Sequence, residues 1–173
     1  MTLSAQIVAQ LRATQLGTND FGGPQFSPTM EKIVSLSIGT GADQADILWM
    51  DERTVTTGAN DDLDLNGVLT NAFGATVNAV EIVAMFIINE PRAGSPANTT
   101  TLTVGSGTNP VTGYLGGTTP TLGPIRPGNF VLFGGGNVGG FGVVTASTGD
   151  ILRIANSAGA SATYQIAILA RSA

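Results

Sequence analysis

The pattern of hydrophobic and polar residues changes near residue 32. In residues 2–14 the apolar side chains recur at roughly helical spacing, so the sequence predicts a short helix there. Glycine and proline then interrupt any regular pattern up to residue 31. The candidate contact residues of this segment are Leu3, Ile7, Val8, Leu11, Phe21 and Phe26. We interpret residues 1–31 as an N-terminal arm, and we expect its apolar side chains to contact the same domain or a neighbouring subunit.

From residue 32 onward the apolar residues alternate with a period of two. Short apolar runs recur about every ten residues, separated by clusters of Gly, Asn, Thr and Pro, which predicts an all-β antiparallel domain over residues 32–173. The strongest run, residues 77–88, is apolar on both faces, and this favours a sandwich of two sheets over one open sheet. A jelly roll of about eight strands is the preferred interpretation.

One long segment of this domain is rich in turn residues. Residues 105–129 contain eleven glycines and prolines and a single charged residue, Arg126. An irregular connection of this length is usually functional or forms a contact surface. We therefore expect the segment to pack against a protein surface.

The composition excludes several kinds of chemistry. The chain contains neither cysteine nor histidine, so disulfides, thiolate or imidazole catalysis and His- or Cys-ligated metals are ruled out. We expect neither an enzyme nor a bound cofactor. A net charge of −5 without a basic stripe argues against nucleic acid as a partner. Because the sequence has no apolar run of about 18 residues and no recognisable secretory signal, we expect no membrane association and synthesis in the cytoplasm.

Two motifs resemble known binding loops. Residues 62–67, DLDLNG, copy the opening of a calcium loop, and this makes Asp62, Asp64 and Asn66 weak candidate metal ligands. The Glu expected at the twelfth position is Phe73, so the polar end of a strand is the favoured interpretation. Residues 134–139 match G-x-G-x-x-G but precede a strand pattern rather than a helix, which indicates a hairpin turn instead of a dinucleotide site.

Residues 63–74, LDLNGVLTNAFG, and the closing runs DILRIAN and ATYQIAILA are similar to parts of small β-rich virion proteins of tailed bacteriophages. The chain most resembles the capsid decoration (cement) proteins of that group. The shared pattern is Leu-x-Leu-x-Gly, a short Asn-Ala-Phe-Gly turn and a final Tyr-x-Ile-x-Ile strand. The matching residues are Leu63, Leu65, Gly67, Asn71, Ala72, Phe73, Gly74, Tyr164, Ile166 and Ile168. The resemblance covers about residues 60–173.

The resemblance implies a structural protein on the capsid surface of a virion. Its partners would be the major capsid protein and further copies of itself, in a homotrimer at three-fold positions. The arm residues would then contact the shell or a neighbouring subunit. Three other functions stay open: a β protein of the phage tail or head–tail connector, a carbohydrate- or calcium-binding sandwich module, and a hydrolase that uses carboxylates alone.

Overall fold

The computed structural model describes residues 2–173 as an all-β protein. Within these residues, no helix is long and apolar enough to cross a membrane. The strands are β1 (Ser4–Arg12), β2 (Gln15–Leu16), β3 (Gln25–Phe26), β4 (Thr29–Ser37), β5 (Ile47–Val55), β6 (Asn60–Asp64), β7 (Asn66–Thr70), β8 (Thr76–Asn78), β9 (Glu81–Ile88), β10 (Leu102–Gly105), β11 (Thr121–Ile125), β12 (Phe130–Gly134), β13 (Gly142–Val143), β14 (Ile151–Asn156) and β15 (Ala162–Arg171).

Nine of these strands form the two sheets of a sandwich. One sheet has the order β11-β10-β14-β6, and the other has the order β12-β9-β15-β5, with β13 also paired to β9. All the strand pairs within these two sheets are antiparallel. The prediction of an all-β antiparallel sandwich is therefore confirmed.

The pairing joins strands that are distant in the chain. β5 pairs with β15, β6 with β14, β9 with β12, and β10 with β11. This is the pattern of a long antiparallel ribbon that closes at β10 and β11. The ribbon folds over so that β9 also pairs with β15, and β10 with β14.

The hydrophobic core lies between the two sheets. The four-stranded sheet contributes Leu63 and Leu152, and the five-stranded sheet contributes Met85, Ile87 and Ile168, all at most 1% exposed. Burying each such side chain contributes roughly 1.5–3 kcal/mol relative to leaving it exposed. The alternation that predicted strands is thus the alternation between core and outer face.

A polar network closes one edge of the sandwich, between β5 and β6. Asp61 accepts hydrogen bonds from Arg53 Nε at 2.5 Å and Nη2 at 2.8 Å. The buried Tyr164 Oη donates to the same carboxylate at 2.8 Å. Burial, together with the negative charge of Asp61, raises the pKa of Tyr164 above its ordinary value. The phenol therefore remains a neutral donor that links β15 to the other sheet.

The predicted short helix in the arm is wrong, because residues 4–12 form strand β1. β1 pairs with β4 over nine residue pairs, and the two short strands β2 and β3 continue the hairpin. Spacing of apolar residues in a short run fits a helix and a strand about equally well. Pairing with β4, whose partner residues lie 17 to 33 positions away, decides between them. β4 crosses the boundary at residues 31 and 32 that we placed between arm and domain.

The turn-rich segment after β10 packs on its own domain. Val111, Tyr114 and Ile125 are buried in the core, and part of the segment forms strand β11. Gly105 permits this path: its φ is +95°, and a Cβ there would collide with Pro120 O and the Tyr114 hydroxyl. The apolar character of this segment is therefore explained by contacts within the molecule.

Candidate interaction site

The hairpin of residues 4–37 is anchored to the sandwich only at its base. A second, smaller apolar cluster forms there, in which Val34 and Leu36 of β4 pack with Ala84 and Leu169 of the five-stranded sheet. Leu3, Ala5 and Ile7 pack against the same cluster. Two of the six predicted contact residues, Leu3 and Ile7, thus contact their own domain.

A close approach fixes this base. Ile7 lies over Gly134 at the end of β12, where an added Cβ would be 3.0 Å from Ile7 Cδ1 and 3.3 Å from Ala84 Cβ. An alanine at position 134 would require the Ile7 side chain to shift by a few tenths of an ångström. The glycine therefore allows this close contact between the hairpin and the sheet.

Beyond its base, the hairpin exposes apolar side chains. The hairpin tip, residues 13–28, carries Phe21, which is fully exposed, Leu16 at 71% and Phe26 at 66% exposure. Val8 and Leu11 are also exposed on β1. The other four predicted contact residues, Val8, Leu11, Phe21 and Phe26, are therefore free of contacts that would bury them.

The outer face of the five-stranded sheet is also apolar. The strand register places side chains of β12, β9, β15 and β5 in rows across this face. One row is Leu132, Phe86, Ala167 and Met50, and the next is Gly134, Ala84, Leu169 and Leu48. An outer face of a sandwich normally carries polar residues. This face is therefore better suited to contact with other protein residues than to exposure to water.

A groove of about 980 Å³ lies between the hairpin and this outer face. Leu11 and Met30 of the hairpin line one side of the groove, and Met50, Phe86 and Phe130 line the other. Its polar lining is confined to hairpin residues such as Gln10, Glu31 and Lys32. The groove is larger and more apolar than two other cavities that lie along β5, one lined by residues 51–56 and 59–61 and one that includes Met50, Glu52 and Arg92.

The hairpin has little to stabilise it away from its base. A two-stranded hairpin alone is marginally stable in water, since three strands or packing against another element are normally needed. Within the described residues, no further strand pairs with the outer edges of β1 and β4 beyond a bridge at Ser37. Exposed strand edges of this kind template pairing with another chain. The hairpin therefore has the properties of a segment that is completed by a partner.

The charge of the chain is distributed unevenly. The hairpin and tip, residues 2–37, carry two acidic residues, Asp20 and Glu31, and two basic ones, Arg12 and Lys32. Their net charge is zero, so the whole net charge of −5 belongs to residues 38–173. Two copies can thus meet through the hairpin without the repulsion that opposes contact between their sandwiches.

The candidate calcium ligands use their oxygens within the molecule. Asp62 accepts two hydrogen bonds from Arg153, at 2.6 and 2.7 Å, and this partner lowers the pKa of Asp62. Asp64 accepts from the Asn66 backbone N–H at 2.8 Å, and the Asn66 side chain donates to Ala79 O. Across residues 2–173 there is no group of three or more Asp, Glu, His or Cys placed to hold a metal ion.

Sequence reasoning found the tip but missed the groove. Met30, Ile33 and the outer-face residues Met50 and Phe130 were not singled out. The available signal was the apolar run Ile47–Met50, where consecutive residues on both faces of a strand are hydrophobic. Such a run indicates that the outer face is covered as well as the inner one.

The site is thus an apolar groove beside an exposed hairpin of zero net charge. No protein-family model, curated protein or solved structure matches this chain. The function is therefore inferred from the residues and geometry of the chain itself.

Proposed function

We propose that the protein is a structural component of a bacteriophage virion, a decoration or cement protein that binds the outside of the capsid as a homo-oligomer, with a trimer as the expected form. The observation that carries this proposal is the neutral hairpin with exposed apolar residues at its tip. Residues such as Phe21 and Phe26 are costly to expose and are normally retained for contact with another protein.

The order of the strands supports the same proposal. We infer that the sandwich is a jelly roll, because pairing of β5 with β15, β6 with β14, β9 with β12 and β10 with β11 gives the folded ribbon of that architecture. Jelly rolls are common among capsid domains. The resemblance of residues 60–173 to phage decoration proteins points in the same direction.

The physical basis of such a function is repetition of one contact. A protein that binds only the assembled shell stabilises it by mass action. When copies are joined, each further contact with the lattice is effectively intramolecular, so weak contacts add up to strong attachment. A compact sandwich with a projecting hairpin provides both a rigid body and a contact element.

The test is binding to capsids assembled from the major capsid protein of the same phage. Purified protein is mixed with empty capsids, and co-sedimentation and the temperature of capsid disassembly are measured. We expect saturable binding and a higher disassembly temperature. Binding to purified tails and not to capsids would instead support the tail or connector function, and binding to neither would refute the proposal.

The hairpin tip is then tested with a shortened variant. Residues 14–28 are replaced by Asn-Gly-Thr, in which Asn-Gly forms a two-residue hairpin turn and the threonine supplies the turn N–H that Pro28 lacks while its carbonyl can accept the hydrogen bond that Ala13 N–H donates to Pro28 O. We expect this variant to fold and to lose capsid binding. The matched control is Phe73→Asp, an exposed apolar residue outside the groove, which should bind as the wild type does.

A further inference from the structure

We propose that the groove beneath the hairpin binds the hairpin tip of a second copy of this chain, so that neighbouring copies exchange their tips. The inference rests on the homo-oligomer of the proposed function and names the surface through which it forms. In this arrangement Phe26 and Leu16 of one copy contact Met50 and Phe130 of the next.

The first argument is that the hairpin closes only one end of the groove in its own molecule. Ile7 closes the end at Gly134, where the two surfaces touch. Further along, Leu11 and Met30 face the sheet by strand alternation but are 58% and 72% exposed. The apolar walls therefore stand apart, with room for side chains that the same hairpin does not supply there.

The second argument is the area that the hairpin leaves exposed. Three large apolar side chains of the tip are exposed: Leu16, Phe21 and Phe26. Weighted by their exposed fractions and counted at roughly 150 Å² per large side chain, they present on the order of 360 Å². A stable interface buries about 800 Å² on each partner. The apolar side chains of the tip alone therefore offer close to half of the area that one such contact needs.

The third argument is charge, which favours a second copy over a strongly charged partner. The tip carries Asp20 as its only charge, and the groove is lined by one acid and one base, Glu31 and Lys32. An apolar tip thus meets an apolar groove with almost no net charge on either side. Contacts through the rest of the sandwich would bring together surfaces that are both negative.

The geometry of the contact also suits a closed assembly. In a trimer each tip enters the groove of the next copy, so the contact is heterologous, whereas reciprocal exchange between two copies would make an isologous dimer. A heterologous contact closes into a ring when the rotation between copies allows it. The contact is therefore compatible with the trimer of the proposed function.

The absence of cysteine from the sequence allows a clean test. Two single-cysteine variants, Phe26→Cys on the tip and Met50→Cys in the groove, are mixed and oxidised, so that a disulfide between the two positions must join different copies. We expect a crosslinked dimer from this mixture at several times the yield from Phe26→Cys mixed with Phe73→Cys. Equal yields would overturn the proposal.

A second measurement does not depend on crosslinking. Met50→Asp places a carboxylate in the groove, and because Met50 is 66% exposed the monomer should fold as before. We expect light scattering to show a dissociation constant about tenfold or more weaker than that of wild type, since the charge would be desolvated without a partner. The matched control is Phe73→Asp, which adds the same charge at a similarly exposed site.

The outcomes separate this proposal from the proposed function. Association that persists in Met50→Asp, without the crosslink, would overturn tip exchange and leave the homo-oligomer standing. A monomer at the highest soluble concentration, without the crosslink, would also overturn tip exchange, while capsid binding is decided by co-sedimentation. If tip exchange is wrong because the shell occupies the groove, Met50→Asp will weaken capsid binding without changing the mass of the free protein.

Discussion

Replacement of Arg171 by methionine should be among the most destabilising single changes in this protein. Arg171 is the largest fully buried side chain, and it lies at the end of β15. Its guanidinium donates to Gln44 O at 2.9 Å, Asn137 O at 2.8 Å and Val138 O at 2.6 Å. It also forms an ion pair with Glu81 at 2.9 Å. One side chain thus ties two loops to the sheet, and one of these loops adjoins the hairpin base.

The expected cost follows from the groups that Arg171→Met leaves behind. Methionine fills a similar volume, so little of the effect comes from a cavity. Breaking a buried ion pair by removing one partner costs about 3–5 kcal/mol, because the other charge remains without compensation. This is a large share of a total stability of about 5–15 kcal/mol. With an m-value of about 2 kcal/mol per molar urea, the midpoint of unfolding should fall by about 2 M.

The assay is urea unfolding followed by the fluorescence of Trp49, the single tryptophan of the chain. The matched control is Arg153→Met, which removes a bidentate ion pair with Asp62 at the surface. Exposed pairs contribute about 0–1 kcal/mol. If the two variants lose stability within 1 kcal/mol of each other, the reasoning from burial is refuted.

Three further predictions concern the core and the turn-rich segment. Burial raises the pKa of Tyr114 to about 12 and that of Tyr164 further, so absorbance should show no phenolate in the native protein at pH 10.5, about half a unit above the ordinary tyrosine pKa. Because these pKa values are raised in the folded state, the free energy of unfolding should keep its full value below pH 10 and fall as the pH rises further. Titration of these tyrosines near pH 10 in the native protein would contradict this. Gly105→Ala should destabilise the protein by about 1 kcal/mol or more because of its positive φ, whereas Gly116→Ala, with open space around it, should not; equal urea midpoints would refute the strain. Leu63→Ala should cost about 2–5 kcal/mol in the same urea assay, and a loss below 1 kcal/mol would mean that the core tolerates the cavity.

The sandwich could be predicted from the sequence because its signal is local. Alternation in runs such as residues 162–170 needs only a window of a few residues to be recognised. Strand β9 shows the limit of the method. Simple alternation from Val80 places Ile82 and Phe86 on the same face of β9. The register between β9 and β15 shifts at Leu169 and Ala170, however. Ile82 therefore lies in the core, whereas Phe86 lies on the outer face.

The candidate site was predicted only in part, because the groove depends on contacts between distant segments. The tip residues Phe21 and Phe26 stood out as apolar side chains among glycines and prolines. The wall formed by Met50, Phe86 and Phe130 becomes one surface only through the pairing of β12, β9, β15 and β5. No local pattern of hydrophobic and polar residues indicates strand pairing over such distances.

The position of β15 has a consequence for synthesis on the ribosome. β15 is an interior strand of its sheet, between β9 and β5, yet it is synthesised after every other strand of the two sheets. The hairpin of residues 4–37 is synthesised early, but its base packs on Leu169 of β15. Both the anchoring of the hairpin and the completion of the five-stranded sheet must therefore wait for residues 162–171 to emerge. A nascent chain therefore exposes the apolar residues of the hairpin well before the five-stranded sheet is complete. A product that ends before β15 should be degraded rather than assembled.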